Sequence, residues 1–349
     1  MRLRFASVFS DSLPSFSRCS RTRRRFGGVR ERPNRRAWKA REAQASVGSN
    51  PTPSATSIIF SAVFSSPLVS EKITFRRDER FTYFFCDEFL TRIEAAALLE
   101  AFPDDLLRLQ ISADRSHAAI SDRGDHVLFN TVVSRSAFLL EVSDWFRSSQ
   151  FIEDVLTTFR EAILGRYPLV IRRLLRKWIL NPTRYYGEVQ FSMRDSMHIL
   201  SPHTDNADKV LSLVIYLPET EESLELGGTA FYLPKSKSGE RAVFRRYSRR
   251  GAWMPPQFKA LSSTKLPMSE STDSSKILHH LHFFDSHYDR VFDAPYRLGA
   301  AGGFIKNQFS WHDLRLSSLS PVSTRRSLLV NVFIRPSKLR ALANVVLRR

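Results

Sequence analysis

Two hydrophobic periods divide the chain. Between residue 72 and about residue 175, apolar positions recur three and four apart, the spacing of a helix with one buried face. AFLLEVSDWF at 137–146 and FIEDVLTTFREAIL at 151–164 follow it, and Gly165 is placed to stop the second helix. Ahead of them, RFTYFFC at 80–86 predicts a strand. Thr91 and Glu94 stand at capping-box spacing, so a helix should open there and end near Ala101, before Pro103. From about Trp178 the period changes to two. RYYGEVQFSM, MHILSPHTD, VLSLVIYL and GTAFYL are short, rich in β-branched and aromatic residues, and bounded by turn residues. Strand character returns in GGFIKNQFSWH at 302–312 and RRSLLVNVFI at 325–334. The pattern predicts a mainly β protein with flanking helices (α+β), its jelly-roll-like core supported by an N-terminal helical lead-in.

The expected organisation is a helical lead-in at 72–175 and a β core at 178–234 and 298–336. An insertion lies between its halves at 235–290, and a short tail follows at 337–349. The insertion is inferred from a break in the alternation, with Ser, Lys, Arg and two prolines at 255–256.

Charge changes the picture at one end only. The net charge is +18, and residues 1–50 hold 13 Arg and Lys against 3 Asp and Glu. Residues 1–57 show no hydrophobic period and read as a basic disordered tail. Translated upstream sequence without a role is the preferred explanation. An organellar transit peptide comes second, and a nucleic-acid or acidic-lipid arm third, because no aromatics are interleaved to stack on bases. A cytoplasmic location is expected, or an organellar one if residues 1–50 are a transit peptide. No apolar run approaches the ~18 residues of a membrane span. Two cysteines, Cys19 and Cys86, cannot build a disulfide framework, and Cys86 in its apolar run reads as a small core residue.

Candidate chemistry begins at His203 and Asp205, in SPHTD at 201–205. In a strand, residues two apart share a face, roughly 7 Å apart along the chain. An imidazole and a carboxylate can therefore converge on one ion, and two His with one carboxylate are the ligands of non-haem Fe(II) oxygenases. A third ligand must come from a later strand. His312, closing the run GGFIKNQFSWH, fits. The rival is ILHHLHFFDSH, with His279, His280, His282 and His287, otherwise read as a surface or core strand. His117, His126 and His198 lack partners at ligand spacing and read as structural. In the last strand, Arg325, Ser327, Leu329 and Asn331 share one face. Arg326, Leu328, Val330, Val332 and Ile334 share the other, which is apolar and should pack on the core. Arg325 is therefore preferred over Arg326 as the residue facing a ligand.

HTDNADKVLSLVIYLPE, LGGTAFY, a strand ending in SWH and RRSLLVNVFI, in this order, resemble the 2-oxoglutarate- and Fe(II)-dependent oxygenases of the prolyl 4-hydroxylase-like type. The resemblance covers roughly residues 180–336. It implies a double-stranded β-helix, with His203, Asp205 and His312 as the metal-binding catalytic triad. It further implies Arg325 on the far carboxylate of 2-oxoglutarate, Tyr216 as a second contact to that cosubstrate, and Lys209 near the substrate mouth. The implied cofactors are Fe(II) and 2-oxoglutarate, with ascorbate as an optional addition. The implied reaction is hydroxylation of an unactivated C–H with release of succinate and CO2. The substrate is expected to be a peptidyl or free amino acid or a small metabolite, with neither membrane nor nucleic acid as partner. Two departures stand out: the long gap from Asp205 to His312, and MRDSMHILSP where relatives carry a tyrosine and a glycine before H-x-D. The alternatives are a cupin-like metal-dependent jelly-roll enzyme that needs no 2-oxoglutarate, and a non-catalytic binding module of the same fold.

Overall fold

The computed structural model describes residues 73–77, 81–111, 117–195, 199–206, 208–218, 227–247, 264–265, 274–307, 309–315 and 324–335. The N-terminal tail, most of residues 248–273 and the C-terminal tail lie outside the described residues.

Two antiparallel sheets with helices make a mixed α+β fold. The larger sheet has seven strands. In spatial order these are β1 (Thr74–Arg77), β2 (Thr82–Cys86), β10 (Ala301–Ile305), β6 (Lys209–Tyr216), β12 (Thr324–Ile334), β4 (Tyr185–Asp195) and β3 (His117–Ser121). The smaller sheet runs β8 (Thr264–Lys265), β5 (Ile199–Thr204), β11 (His312–Arg315), β7 (Ala230–Pro234) and β9 (Tyr288–Asp293). From β4 to β7, and again from β9 to β12, each strand lies in the opposite sheet to the one before it. Distant parts of the sequence thereby become neighbours.

Among the described residues, seven α-helices precede β4. They are α1 (Arg92–Glu100), α2 (Asp104–Gln110), α3 (His126–Val133), α4 (Ala137–Arg147), α5 (Ser149–Thr158), α6 (Arg160–Gly165) and α7 (Leu169–Ile179). The Thr91 hydroxyl accepts from Glu94 N–H while Glu94 Oε2 accepts from Thr91 N–H at 2.7 Å, which closes the predicted capping box. Leu98, Phe129, Val132, Leu139, Val142, Phe146 and Val155 bury their side chains against Val189, Phe191, Leu211, Leu213, Leu328, Val330 and Val332. Each of those strand residues is one of an alternating set, so the helices cover only one face of the larger sheet. The other face turns toward the gap between the sheets. There the directly opposed residues are largely polar: Ser327 meets Ser192 and Tyr216, and Asn331 meets Glu188 and Ser212.

Several expectations change. The single helix at 151–164 is broken at Phe159 (φ −103°, ψ 19°) into α5 and α6, and Gly165 ends α6 rather than standing past it. The run 302–312 is two strands, not one. A turn separates them, in which Asn307 N–H donates to Ser310 Oγ at 3.2 Å and Ser310 Oγ donates back to Asn307 O at 2.8 Å. His312 therefore opens β11 instead of closing a longer strand. The histidine-rich segment is helical, not a strand. It lies in α9 (Ser274–His287), where Leu281, Phe284 and, just beyond, Tyr288 keep helical spacing. Strand periodicity begins at Tyr185, because Trp178 still belongs to α7. The alternation had also left α2, α3, α7 and α8 (Lys237–Tyr247) unrecognised. In α7 the reason is physical: Leu169, Val170 and Leu174 are exposed and trace no buried stripe.

Within the 235–290 segment, α8 and α9 pack together around a small separate core. Val243, Tyr247, Phe284, Tyr288 and Tyr232 of β7 surround Trp311, the residue before His312. β9 begins at Tyr288, inside the expected insertion.

A close approach fixes the helical layer on the sheet. A Cβ at Gly187 would stand 2.1 Å from the Phe146 carbonyl oxygen, at the end of α4. Gly187→Ala should therefore cost about 1–3 kcal/mol, read as a lower urea midpoint. Leu140→Ala on the exposed side of α4 should move it by no more than ~0.5 kcal/mol.

Candidate functional site

The structure brings His203, Asp205 and His312 together. One ligand atom from each lies within 4.8 Å of the others, and no other group of three His, Cys, Asp or Glu does so among the described residues. The sheet explains why. His203 of β5 and His312 of β11 are direct cross-strand partners, and Asp205 follows β5 by one residue. Their rings are 4.2 Å apart between centroids. His203 Nε2 is 3.7 Å from Asp205 Oδ1, and His312 Nε2 is 4.0 Å from Asp205 Oδ2.

The His312 ring is held from two sides. Phe304 of β10 packs on it at 4.3 Å between centroids, reaching across from the larger sheet. His312 Nδ1 lies 3.0 Å from the Ser310 carbonyl oxygen. A carbonyl only accepts, so that hydrogen bond puts the proton on Nδ1 and leaves the Nε2 lone pair facing the cluster. Behind β11, Asp313 Oδ2 accepts from Tyr232 Oη at 2.9 Å, tying the strand to β7.

Electrostatics favour the ligand forms of Asp205 and His312. Burial alone would raise the Asp205 carboxyl, but Lys209, His312 and His203 outweigh it and hold the group well below the usual carboxylate range. The strongest of these is Lys209, whose Nζ lies 3.0 Å from Asp205 Oδ2. Burial pushes His312 down, which keeps the imidazole neutral into more acid conditions. Lys306 is fully buried nearby, with Nζ donating to the Asn307 carbonyl at 2.8 Å. Desolvation brings its ammonium down to about 7 against the pull of Asp205.

A second polar centre surrounds Arg325. Its guanidinium lies 5.4 Å from the Tyr216 ring centroid and 5.3 Å from that of Tyr296. Nε and Nη2 of Arg325 are buried with no hydrogen-bond partner. Arg326 faces the helices, where Nε and Nη2 donate to the two oxygens of Asp104 at 2.7 and 2.6 Å. The two arginines thus divide as the strand period predicts, and Arg325 rather than Arg326 offers donors to the gap between the sheets. Tyr216 Oη donates to Thr229 Oγ1 at 3.1 Å and bridges the sheets. Gly302 leaves it room, since a Cβ there would stand 2.7 Å from Tyr216 Oη. Thr229 immediately precedes β7 and is two residues before Phe231, the partner of His312.

The rival ligands go elsewhere. His279 Nε2 lies 2.9 Å from Arg246 Nη2, and His280 Nδ1 lies 3.1 Å from Tyr247 Oη, both on the face of α9 toward α8. His287 Nδ1 lies 2.8 Å from the Phe283 carbonyl oxygen of its own helix. His117 Nε2 lies 3.1 Å from Ser192 Oγ, and His126 Nε2 lies 3.2 Å from Asn130 Nδ2. Cys86 is buried and forms no disulfide. His198 and Cys19 lie outside the described residues.

Sequence reasoning missed Lys306, Tyr296 and Arg194. The signal for Arg194 was present in GEVQFSMR, where Gln190, Ser192 and Arg194 alternate with Val189, Phe191 and Met193. Lys306 and Tyr296 stand next to turns and carry no periodic signal.

No family model and no curated protein matches the sequence. Among solved structures, the chain is similar to the epimerase SnoN in complex with Fe3+, alpha ketoglutarate and nogalamycin RO. The TM-score is 0.36 at 13% identity, over 76% of this chain and 85% of that chain. A second structure, of the non-heme alpha ketoglutarate dependent epimerase SnoN from nogalamycin biosynthesis, gives 0.33 at 13% identity, over 74% and 80%. At scores this low the site stands on its own geometry. No described helix is long and apolar enough to cross a membrane.

The division between the two arginines has a measurable outcome. Asp104→Ala strips the buried Arg326 of its bidentate partner and should lower stability by about 1.5–3 kcal/mol in urea unfolding. Metal binding at the His203, Asp205 and His312 cluster should be unchanged.

Proposed function

We propose that the chain is an Fe(II)- and 2-oxoglutarate-dependent oxygenase of the prolyl 4-hydroxylase-like type. In this reading its two sheets form a double-stranded β-helix, and it hydroxylates an unactivated C–H of a peptidyl or free amino acid. One observation carries the reading: a convergent His, Asp and His cluster shares the gap between the sheets with a buried arginine whose donors have no partner. Two neutral imidazoles and one ionised carboxylate suit Fe(II). An unpaired buried guanidinium suits a carboxylate, which its planar fork can bind through two parallel hydrogen bonds. A jelly-roll metal enzyme without 2-oxoglutarate gives that guanidinium nothing to hold.

Bound together, Fe(II) and 2-oxoglutarate supply the O2-dependent oxidation of a C–H bond with release of succinate and CO2. The chain supplies placement. His203, Asp205 and His312 would hold the metal from one side and leave its other side open. The Ser310 carbonyl fixes the His312 tautomer before any metal binds. Arg325 would hold the far carboxylate of the cosubstrate, with Tyr216 beside it. Phe81, Tyr83, Phe231 and Phe304 form a buried aromatic cluster next to His312 that excludes water from this end of the gap. Lys209 stands on Asp205, and in this reading its ammonium adjusts the charge at the metal while its stem borders the substrate mouth.

Anaerobic addition of Fe(II) and 2-oxoglutarate should give the visible charge-transfer band of the chelate, and admitting O2 should give succinate. His203→Ala and His312→Ala should show neither. Arg325→Ala should need at least about tenfold more 2-oxoglutarate, the size of one lost charge-assisted hydrogen bond. Succinate formation by His312→Ala at the wild-type rate would contradict the ligand set.

Metal binding should also weaken in acid, because both imidazoles must be neutral. Burial lowers His312, so its neutral form persists to lower pH than that of an exposed histidine. An anaerobic Fe(II) titration across pH should therefore lose affinity in acid, with the step that belongs to His312 lying below the ordinary imidazole range.

A further inference from the structure

Arg194 has no role in the reading above, and it is the direct cross-strand partner of Arg325. Residues opposed in this way point to the same face, with Cβ atoms about 4.5–5.5 Å apart. That face is not the one packed on the helices. Val189, Phe191 and Met193, the alternate residues of β4, occupy the helix-facing core. Arg194 is 9% exposed and Arg325 4%. Nη1 of Arg194 joins Nε and Nη2 of Arg325 as buried donors with no partner. No described carboxylate pairs with either guanidinium, whereas the neighbouring Arg326 has a bidentate one.

Two adjacent buried cations without a counter-ion are unfavourable twice over. Each loses its hydration, and each repels the other. The strain shows in Arg194, which burial and then the charge of Arg325 bring down to about 9. A structural arginine on this face would be expected to find an acid, as Arg326 does on the other. An anion between the two would relieve the arrangement.

We propose that Arg194 and Arg325 together form a two-arginine clasp for one carboxylate, and that Arg194 is a second anchoring and specificity-determining residue for the cosubstrate. Resting on the oxygenase reading, the clasp receives the far carboxylate of 2-oxoglutarate. It sets the preference for a dicarboxylic 2-oxo acid over one that ends in a methyl group.

The test uses the full-length chain loaded anaerobically with Fe(II). Dissociation constants for 2-oxoglutarate and for 2-oxovalerate, which lacks the far carboxylate, are read from the charge-transfer band. In Arg194→Met the constant for 2-oxoglutarate should rise about tenfold or more while that for 2-oxovalerate holds, and Arg194→Lys should fall between. Without ligand, Arg194→Met should melt at or above the wild-type temperature, because an uncompensated charge has gone. Unchanged 2-oxoglutarate binding, or equal weakening for both oxo acids, overturns the clasp. So does a lower melting temperature without ligand, since the arginine would then be structural. If the wild-type chain gives no chelate band with 2-oxoglutarate, the oxygenase reading has failed instead. The clasp is then judged separately with glutarate. A rise in wild-type melting temperature that Arg194→Met lacks supports it, and no rise overturns it.

Discussion

The alternation of β12 is the constraint on which the rest depends. Over eleven residues this strand must satisfy two environments that exclude each other. Leu328, Val330 and Val332 enter a dry core beneath the helices, while Arg325, Ser327 and Asn331 line the gap between the sheets. A shift of one residue would put a guanidinium into the hydrocarbon layer and leucines into the site. The register is locked on both sides, by eleven consecutive pairs to β4 and by the run of pairs to β6. Arg326 is the one charge on the helical side, and Asp104 is there to meet it. The site is therefore a by-product of the same pairing that makes the core.

The cluster of His203, Asp205 and His312 depends on the smaller sheet in a different way. His203 and His312 come from strands more than a hundred residues apart in sequence, yet they stand opposite one another. What aligns them is packing from outside the sheet. Trp311 is gripped by aromatic residues of α9 and β9, and His312 is the next residue. The 235–290 segment thus backs the strand that carries His312. The turn at Asn307 and Ser310 sets where that strand begins, and Ser310 also fixes the ring of His312.

How much was legible in the sequence follows from how local each signal was. The capping box at Thr91, the strand at 82–86 and the division of Arg325 from Arg326 were readable, because each depends on spacing within one element. His203, Asp205 and His312 were readable as candidates, since H-x-D in a strand and a histidine beside a late strand are also local patterns. Their meeting was not, because it needs a sheet pairing across the whole core. The histidine-rich run was misread as a strand. Its four histidines among short apolar runs mask the helical spacing, and its packing partner α8 lies about thirty residues upstream. Arg194 was overlooked because its meaning lies in its neighbour across the sheet rather than along the chain.

The contact between Lys209 and Asp205 has a consequence for assembly. A lone carboxylate enclosed between two sheets would resist burial until an ion arrived, and folding would then wait for metal. The lysine already stands at the carboxylate with the opposite sign. The polypeptide can therefore close around this carboxylate with its charge already met, and folding would not have to wait for an ion.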